Sequence, residues 1–267
     1  MISTGKPDPF GPAWQGSESY RRFAESVKSD LRYVRSVSAN QFLDEVRISC
    51  AHREQLIPQG RELWRARLGC ERAEFEETDD DDGTVMIERD VPFSAKGMKP
   101  IPNWQGEGRA HPRGIPCLYV ASTRDTALAE VRPWLGASVS VSRLKTNRDL
   151  KVILCSVEHK KGSFLKIFDP SLSRVGGIWI AIDQAFATPV SKEDETREYI
   201  PTQIIAELFK SAGYDGLVYK SLLSADGFNF AFFDLNVADV IDGALFTANT
   251  IKFEFQYSGT HTTFAPP

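Results

Sequence analysis

Residues 115–134 carry the tightest constraint on the fold. Ile115 to Ala121 is an apolar run short enough to be a buried strand. Ser122 or Thr123 then offers a side-chain cap for a helix. Pro133 forces that helix to stop, because its ring excludes helical backbone at the residue before it. A buried strand, a tight corner and a helix of about two turns must therefore follow one another without a linker.

The rest of the chain repeats such short units without a regular period. Amphipathic stretches predict a helix from Ser17 to Arg35, with Phe23, Val27 and Leu31 on one face, and a second from about Ser38, where Ser38 and Gln41 fit a capping box and Phe42, Val46 and Cys50 continue the stripe. Each has a single apolar stripe and must pack on something. Further helices are expected at Ile178 to Phe186 and Thr202 to Ala212, the latter stopped by Gly213. Strands are expected at Leu63 to Leu68, Val139 to Arg143, Leu150 to Val157, Leu217 to Tyr219, Phe228 to Phe233 and Ile251 to Tyr257. Residues 1 to about 16, rich in Pro and Gly, read as loose, and Val91 to Asn103 as a long loop. Strands and helices interleave without βαβ spacing, which favours an α+β fold over a doubly wound sheet. No glycine-rich fingerprint follows a strand, and Gly176-Gly177 lacks the Lys-Ser or Lys-Thr of a phosphate loop, so any nucleotide is held in another way.

Composition narrows the function classes. The chain has 267 residues, 42% hydrophobic and 25% charged, enough for one large domain with its own core. A net charge of -4 is not the basic footprint of a nucleic-acid binder. No apolar run approaches a membrane span and the first residues do not read as a signal peptide, so a cytoplasmic protein is expected. The four cysteines and four histidines are too scattered for a zinc site, and Cys50, Cys70, Cys117 and Cys155 read as free thiols. The acidic run Asp79 to Asp82 fails as a calcium loop: with Gly83 as the turn glycine, Thr78 and Arg89 fall where ligands are needed.

Four segments, LWRARLG (63–69), GRAHPRGIPCLYVASTRDTALAEVRP (108–133), YIPTQIIAELFKSAGYDGLVYKS (199–221) and GFNFAFFD (227–234), resemble the conserved blocks and closing strand of the RES-domain family. The likeness spans about Glu62 to Asp234. It implies a RES domain over 62–267, with 1–61 as a tail and helical segment packed on it, and mixed sheets with surrounding helices as in ADP-ribosyltransferases. It also implies the activity of NAD-consuming toxins from toxin–antitoxin pairs. NAD is then the substrate, with no further cofactor and no metal, and an antitoxin or immunity protein is a possible partner covering the cleft.

By the same resemblance Glu130, Arg65, Tyr119 and Ser221 fall on the catalytic positions, and Arg109, with Arg65, Tyr119 and Ser221, on the NAD-binding ones. His111 departs from the Asn of the family's Gly-Arg-x-Asn pattern. The chemistry wants such a set. Cleaving the nicotinamide–ribose bond builds positive charge on the ribose, which a carboxylate stabilises. Arginines grip a pyrophosphate, a tyrosine walls the nicotinamide, and a serine orients substrate by hydrogen bonding. Hydrolysis and phosphorolysis of NAD, ADP-ribosyl transfer to a macromolecule, and binding without turnover remain open at this stage. Taken singly, each residue also has a plain reading: a solvated helix glutamate, strand-edge arginines, a core tyrosine, a turn serine.

Overall fold

The structure is a computed structural model that describes residues 11–78, 84–103, 105–157, 173–190, 195–224, 226–252, 257 and 259. Helices α1 (Gly11–Ser29) and α2 (Val37–Cys50) come first, followed by β1 (Glu54–Ile57), β2 (Glu62–Leu68), β3 (Glu71–Thr78) and β4 (Thr84–Val91). After a long irregular stretch come β5 (Leu118–Ala121), α3 (Arg124–Glu130), β6 (Ser138–Thr146) and β7 (Leu150–Leu154). Helices α4 (Arg174–Ala187), α5 (Glu195–Glu198) and α6 (Ile200–Ser211) precede the strands β8 (Gly216–Lys220), β9 (Phe228–Phe232) and β10 (Ala238–Thr247).

Eight strands form one mixed sheet in the order β1-β7-β8-β9-β5-β2-β6-β10, in which only β7 and β8 run parallel. Strands β3 and β4 form a separate antiparallel pair. The fold is α+β, as the irregular interleaving implies. One face of the sheet is covered by helices: Phe23 and Val27 of α1, Phe42 and Val46 of α2, Ile178 and Phe186 of α4, and Ile205 and Phe209 of α6 share a core with Leu217, Tyr219 and Ala231. The other core comes mainly from strands, with Leu63, Leu118, Leu144, Val152, Phe230 and Phe232 in contact. It runs across the strands from β7 to β6.

The N-terminal helices are integral to this packing. Gly16 and Gly177 let α1 and α4 touch backbone to backbone: a Cβ on Gly16 would lie 1.9 Å from the Arg174 carbonyl oxygen, and one on Gly177 would lie 1.8 Å from that of Ala13. Phe23 stacks on Phe42 at 4.6 Å between centroids, and burying each ring is worth about 1.5–3 kcal/mol. Strand β1, from the segment before Glu62, pairs antiparallel with β7 at the sheet edge.

Several element limits differ from those expected. Helix α1 begins at Gly11, inside the stretch read as loose, and ends at Ser29, so Leu31 leaves the stripe and is 44% exposed. Ser36, not Ser38, caps α2: its hydroxyl accepts from the Ala39 N–H at 3.2 Å. The last strand of the sheet is β10; Ile251 and Lys252 are not in a strand, and residues 253–256 of the expected strand lie outside the described residues, as does the acidic run 79–82. The hairpin strands β3 and β4 were not expected. They are rich in charged residues and mostly exposed, so apolar periodicity has little to register there.

Candidate active site

Strands β2 and β5 are joined at a single pair, Trp64 with Ala121, although each is fully laddered on its other side. Where they splay, a cleft of about 300 Å³ opens. It is lined by Arg65 of β2, Tyr119 of β5, Glu130 and Val131 at the end of α3, Tyr219 of β8 and Asn229 of β9.

Glu130 reaches this place through local chemistry. The Thr123 hydroxyl caps α3 by accepting from the Thr126 N–H at 3.1 Å. Thr126 is fully buried and donates to Ser224 Oγ at 3.1 Å. Gly227 makes the approach possible, since a Cβ there would sit 1.9 Å from Thr126 Oγ1. Thr126 thus locks α3 over the segment joining β8 to β9, and Glu130, one turn on, meets that segment's two ends. Its Oε1 accepts from Ser221 Oγ at 2.6 Å and from Asn229 Nδ2 at 2.7 Å. Both donors are buried. Among the described residues Oε2 has no protein hydrogen bond. Two donors on an anionic acceptor make short, strong hydrogen bonds that fix the side chain.

Across the cleft, Arg65 Nη1 donates to the Tyr119 carbonyl at 2.6 Å, bridging the strands where the ladder is interrupted. Its buried Nε has no partner among the described residues. Burial, with Arg67 nearby, pulls its pKa down to about 10, so it stays cationic at neutral pH. The Tyr119 hydroxyl sits under the loop before β5, accepting from the Ala110 N–H at 3.0 Å and lying 2.9 Å from His111 Nδ1. Gly108 is obligatory there: a Cβ would fall 2.6 Å from that hydroxyl. Gln203 of α6 ties the loop down, its Nε2 donating to the Gly108 and His111 carbonyls, both at 3.1 Å. Burial raises the Tyr119 pKa well above its usual range and lowers that of His111, so both are neutral at pH 7.

The structure therefore brings Arg65, Tyr119 and Glu130 to one cleft and hydrogen-bonds Ser221 to Glu130. Arg109 is placed differently. Its Nη1 donates to the Phe186 carbonyl in the last turn of α4, and its guanidinium lies 5.9 Å from the ring of Tyr219, a cleft residue, without itself lining the cleft. A cation on the unsatisfied carbonyls of a helix C-terminus is a stabilising arrangement in its own right. Asn229 is the site residue that sequence reasoning missed. The signal was present: in FNFAFF it is the one polar side chain, on the face opposite Phe228, Phe230 and Phe232, and a buried amide needs a partner. All four cysteines are free, and among the described residues no group of three or more His, Cys, Asp or Glu side chains is placed to hold a metal.

Fold and site together describe an α+β protein with one helix-borne carboxylate and a half-buried arginine lining one gap in its sheet. A family model of the RES domain matches residues 88–255, and the chain belongs to the RES-domain family. The match begins within β4, so Arg65 precedes it although it lines the same cleft. No curated protein matches the chain. Among solved structures, the crystal structure of the M. tuberculosis MbcT–MbcA toxin–antitoxin complex is similar at a TM-score of 0.41 and 11% identity, covering 77% of this chain and 93% of that one.

Proposed function

We propose that this protein is a toxin that consumes NAD by cleaving the nicotinamide–ribose bond, with water or phosphate as the acceptor. The observation that carries the reading is the Glu130 carboxylate, held through Oε1 by Ser221 and Asn229 with Oε2 unengaged in a cleft that also contains Arg65. Membership of the RES-domain family supports it.

In this reading the glycosidic C–N bond breaks and its electron pair goes to the nicotinamide nitrogen. Nicotinamide leaves neutral, so no strong general acid is required. The ribosyl cation left behind lies against Glu130, whose charge stabilises it and whose free oxygen can accept from a ribose hydroxyl. Arg65 supplies positive charge for the pyrophosphate, and a charge-assisted bond of that kind contributes about 1.5–3 kcal/mol. The Tyr119 and Tyr219 rings provide apolar walls for nicotinamide. A neutralising partner would act most simply by covering the cleft.

Glu130→Gln tests the reading. It preserves shape and an acceptor oxygen for Ser221 and Asn229 but removes the charge. Nicotinamide release should fall by at least about 10²–10³-fold, the scale of one preorganised electrostatic group, with little change in NAD affinity. Near-normal turnover in the variant would remove Glu130 from the mechanism. Transfer of label from NAD to a protein or nucleotide target would identify a transferase instead.

A further inference from the structure

Asn229 approaches Glu130 from β9 and Ser221 from just past the end of β8, yet both donate to the same oxygen. Asn229 sits at the centre of the sheet, with Tyr219 and Ala121 as its neighbours on either side. It is 5% exposed, and its Nδ2 donates to Glu130 Oε1 at 2.7 Å. Asn229 is held within strand β9, while Ser221, just past the end of β8, is held by its N–H donating to the Gly227 carbonyl at 2.9 Å and its hydroxyl accepting from the Leu223 N–H at 3.2 Å. A carboxylate with two donors on one oxygen cannot rotate without breaking a charge-assisted bond. Its second oxygen is thereby held in one position.

Resting on the functional reading above, we propose that Asn229 is the positioning residue of this site: its amide fixes Glu130 Oε1 so that Oε2 is aimed at the ribose, and Ser221 completes the clamp. Asn229 acts through Glu130. Loss of the amide should therefore lower turnover and leave substrate binding in place.

Two near-isosteric variants test this. Asn229→Leu removes the donor; kcat for nicotinamide release should fall about 10- to 100-fold while KM for NAD changes less than about 3-fold, the pattern of an interaction made chiefly in the transition state. Asn229→Asp sets a second carboxyl within 2.7 Å of Glu130 Oε1. Two carboxyls that close share a proton, and the singly protonated pair keeps an O–H donor on Glu130, so the pH–rate profile should gain an alkaline limb where that proton is lost. A merely structural asparagine would give neither the kcat-selective loss nor the added limb, and Asn229→Leu with kcat within about 2-fold of wild type overturns the proposal. The crystal structure of Asn229→Leu gives a readout that needs no turnover. Rotation of the Glu130 carboxylate away from its wild-type position supports the clamp; an unmoved carboxylate on Ser221 refutes it. If the wild-type protein released no nicotinamide, the functional reading would fail, and the crystal structure would still decide the role of Asn229.

Discussion

At the scale of single residues, the site depends on atoms that are missing as much as on those present. Gly108 leaves room for the Tyr119 hydroxyl and Gly227 for Thr126. The second case is testable. In Gly227→Ala the new Cβ would lie 1.9 Å from Thr126 Oγ1, 2.6 Å from its Cγ2 and 2.8 Å from its Cβ. Thr126 is fully buried and hydrogen-bonded on both sides, so it cannot swing aside. Helix α3 must lift, carrying Glu130 away from Ser221 and Asn229. A loss of about 1–3 kcal/mol in denaturant unfolding is expected, as for other overpacked sites, with a larger proportional loss of turnover. Wild-type stability and turnover together would show that α3 is not locked at this point. The same residues mark what sequence alone could convey. Glu130, Tyr119 and Arg65 stand out through family resemblance, because in isolation a helix glutamate or a strand arginine carries little information. Asn229 is legible only as a polar interruption of an aromatic strand, and the contact of Arg109 with the end of α4 has no local signal in the sequence.

At the scale of elements, the strand-corner-helix unit from β5 to α3 and the helix α6 stopped by Gly213 (φ +88°) were legible because caps, proline and glycine act locally. Strand β10 was not, since it lies at the sheet edge with most side chains exposed and a bulge between Val240 and Asp242 that breaks its alternation. The splay between β2 and β5 was beyond reach too, because it depends on which strands become neighbours. Helix α4 adds a pH prediction. Asp183, wholly buried on α4, accepts from the Val157 N–H at 2.7 Å just past β7, and Arg53 and Cys155 are titratable groups near it among the described residues. Burial outweighs that bond and Arg53, raising its pKa from 3.8 to about 7. Between those values the folded state binds more protons than the unfolded chain, so this contribution to stability falls as pH rises from about 4 through 7. Asp183→Asn removes the titration. The Tm of wild type relative to the variant should therefore decline from pH 5 to pH 8. A constant difference across that range would mean that Asp183 titrates normally.

At the scale of the whole molecule, the N-terminal helices and the RES domain are built as one packed body. Helix α1 meets α4 through glycines, and β1 extends the sheet. None of the described helices is long and apolar enough to cross a membrane. If the cleft consumes NAD, the consequence for a cell follows from turnover rather than from binding. A chain that only sequestered NAD could remove no more than its own concentration, whereas one that cleaves it drains the pool at any expression level. Induced expression without a neutralising partner should therefore lower total NAD before growth stops, with nicotinamide released in step. Glu130→Gln, expressed to the same level and folded, should leave both NAD and growth unchanged. Arrested growth with undiminished NAD would point to modification of a specific target by the same bond cleavage. Arrest by Glu130→Gln itself would show that toxicity comes from binding and not from chemistry at this carboxylate.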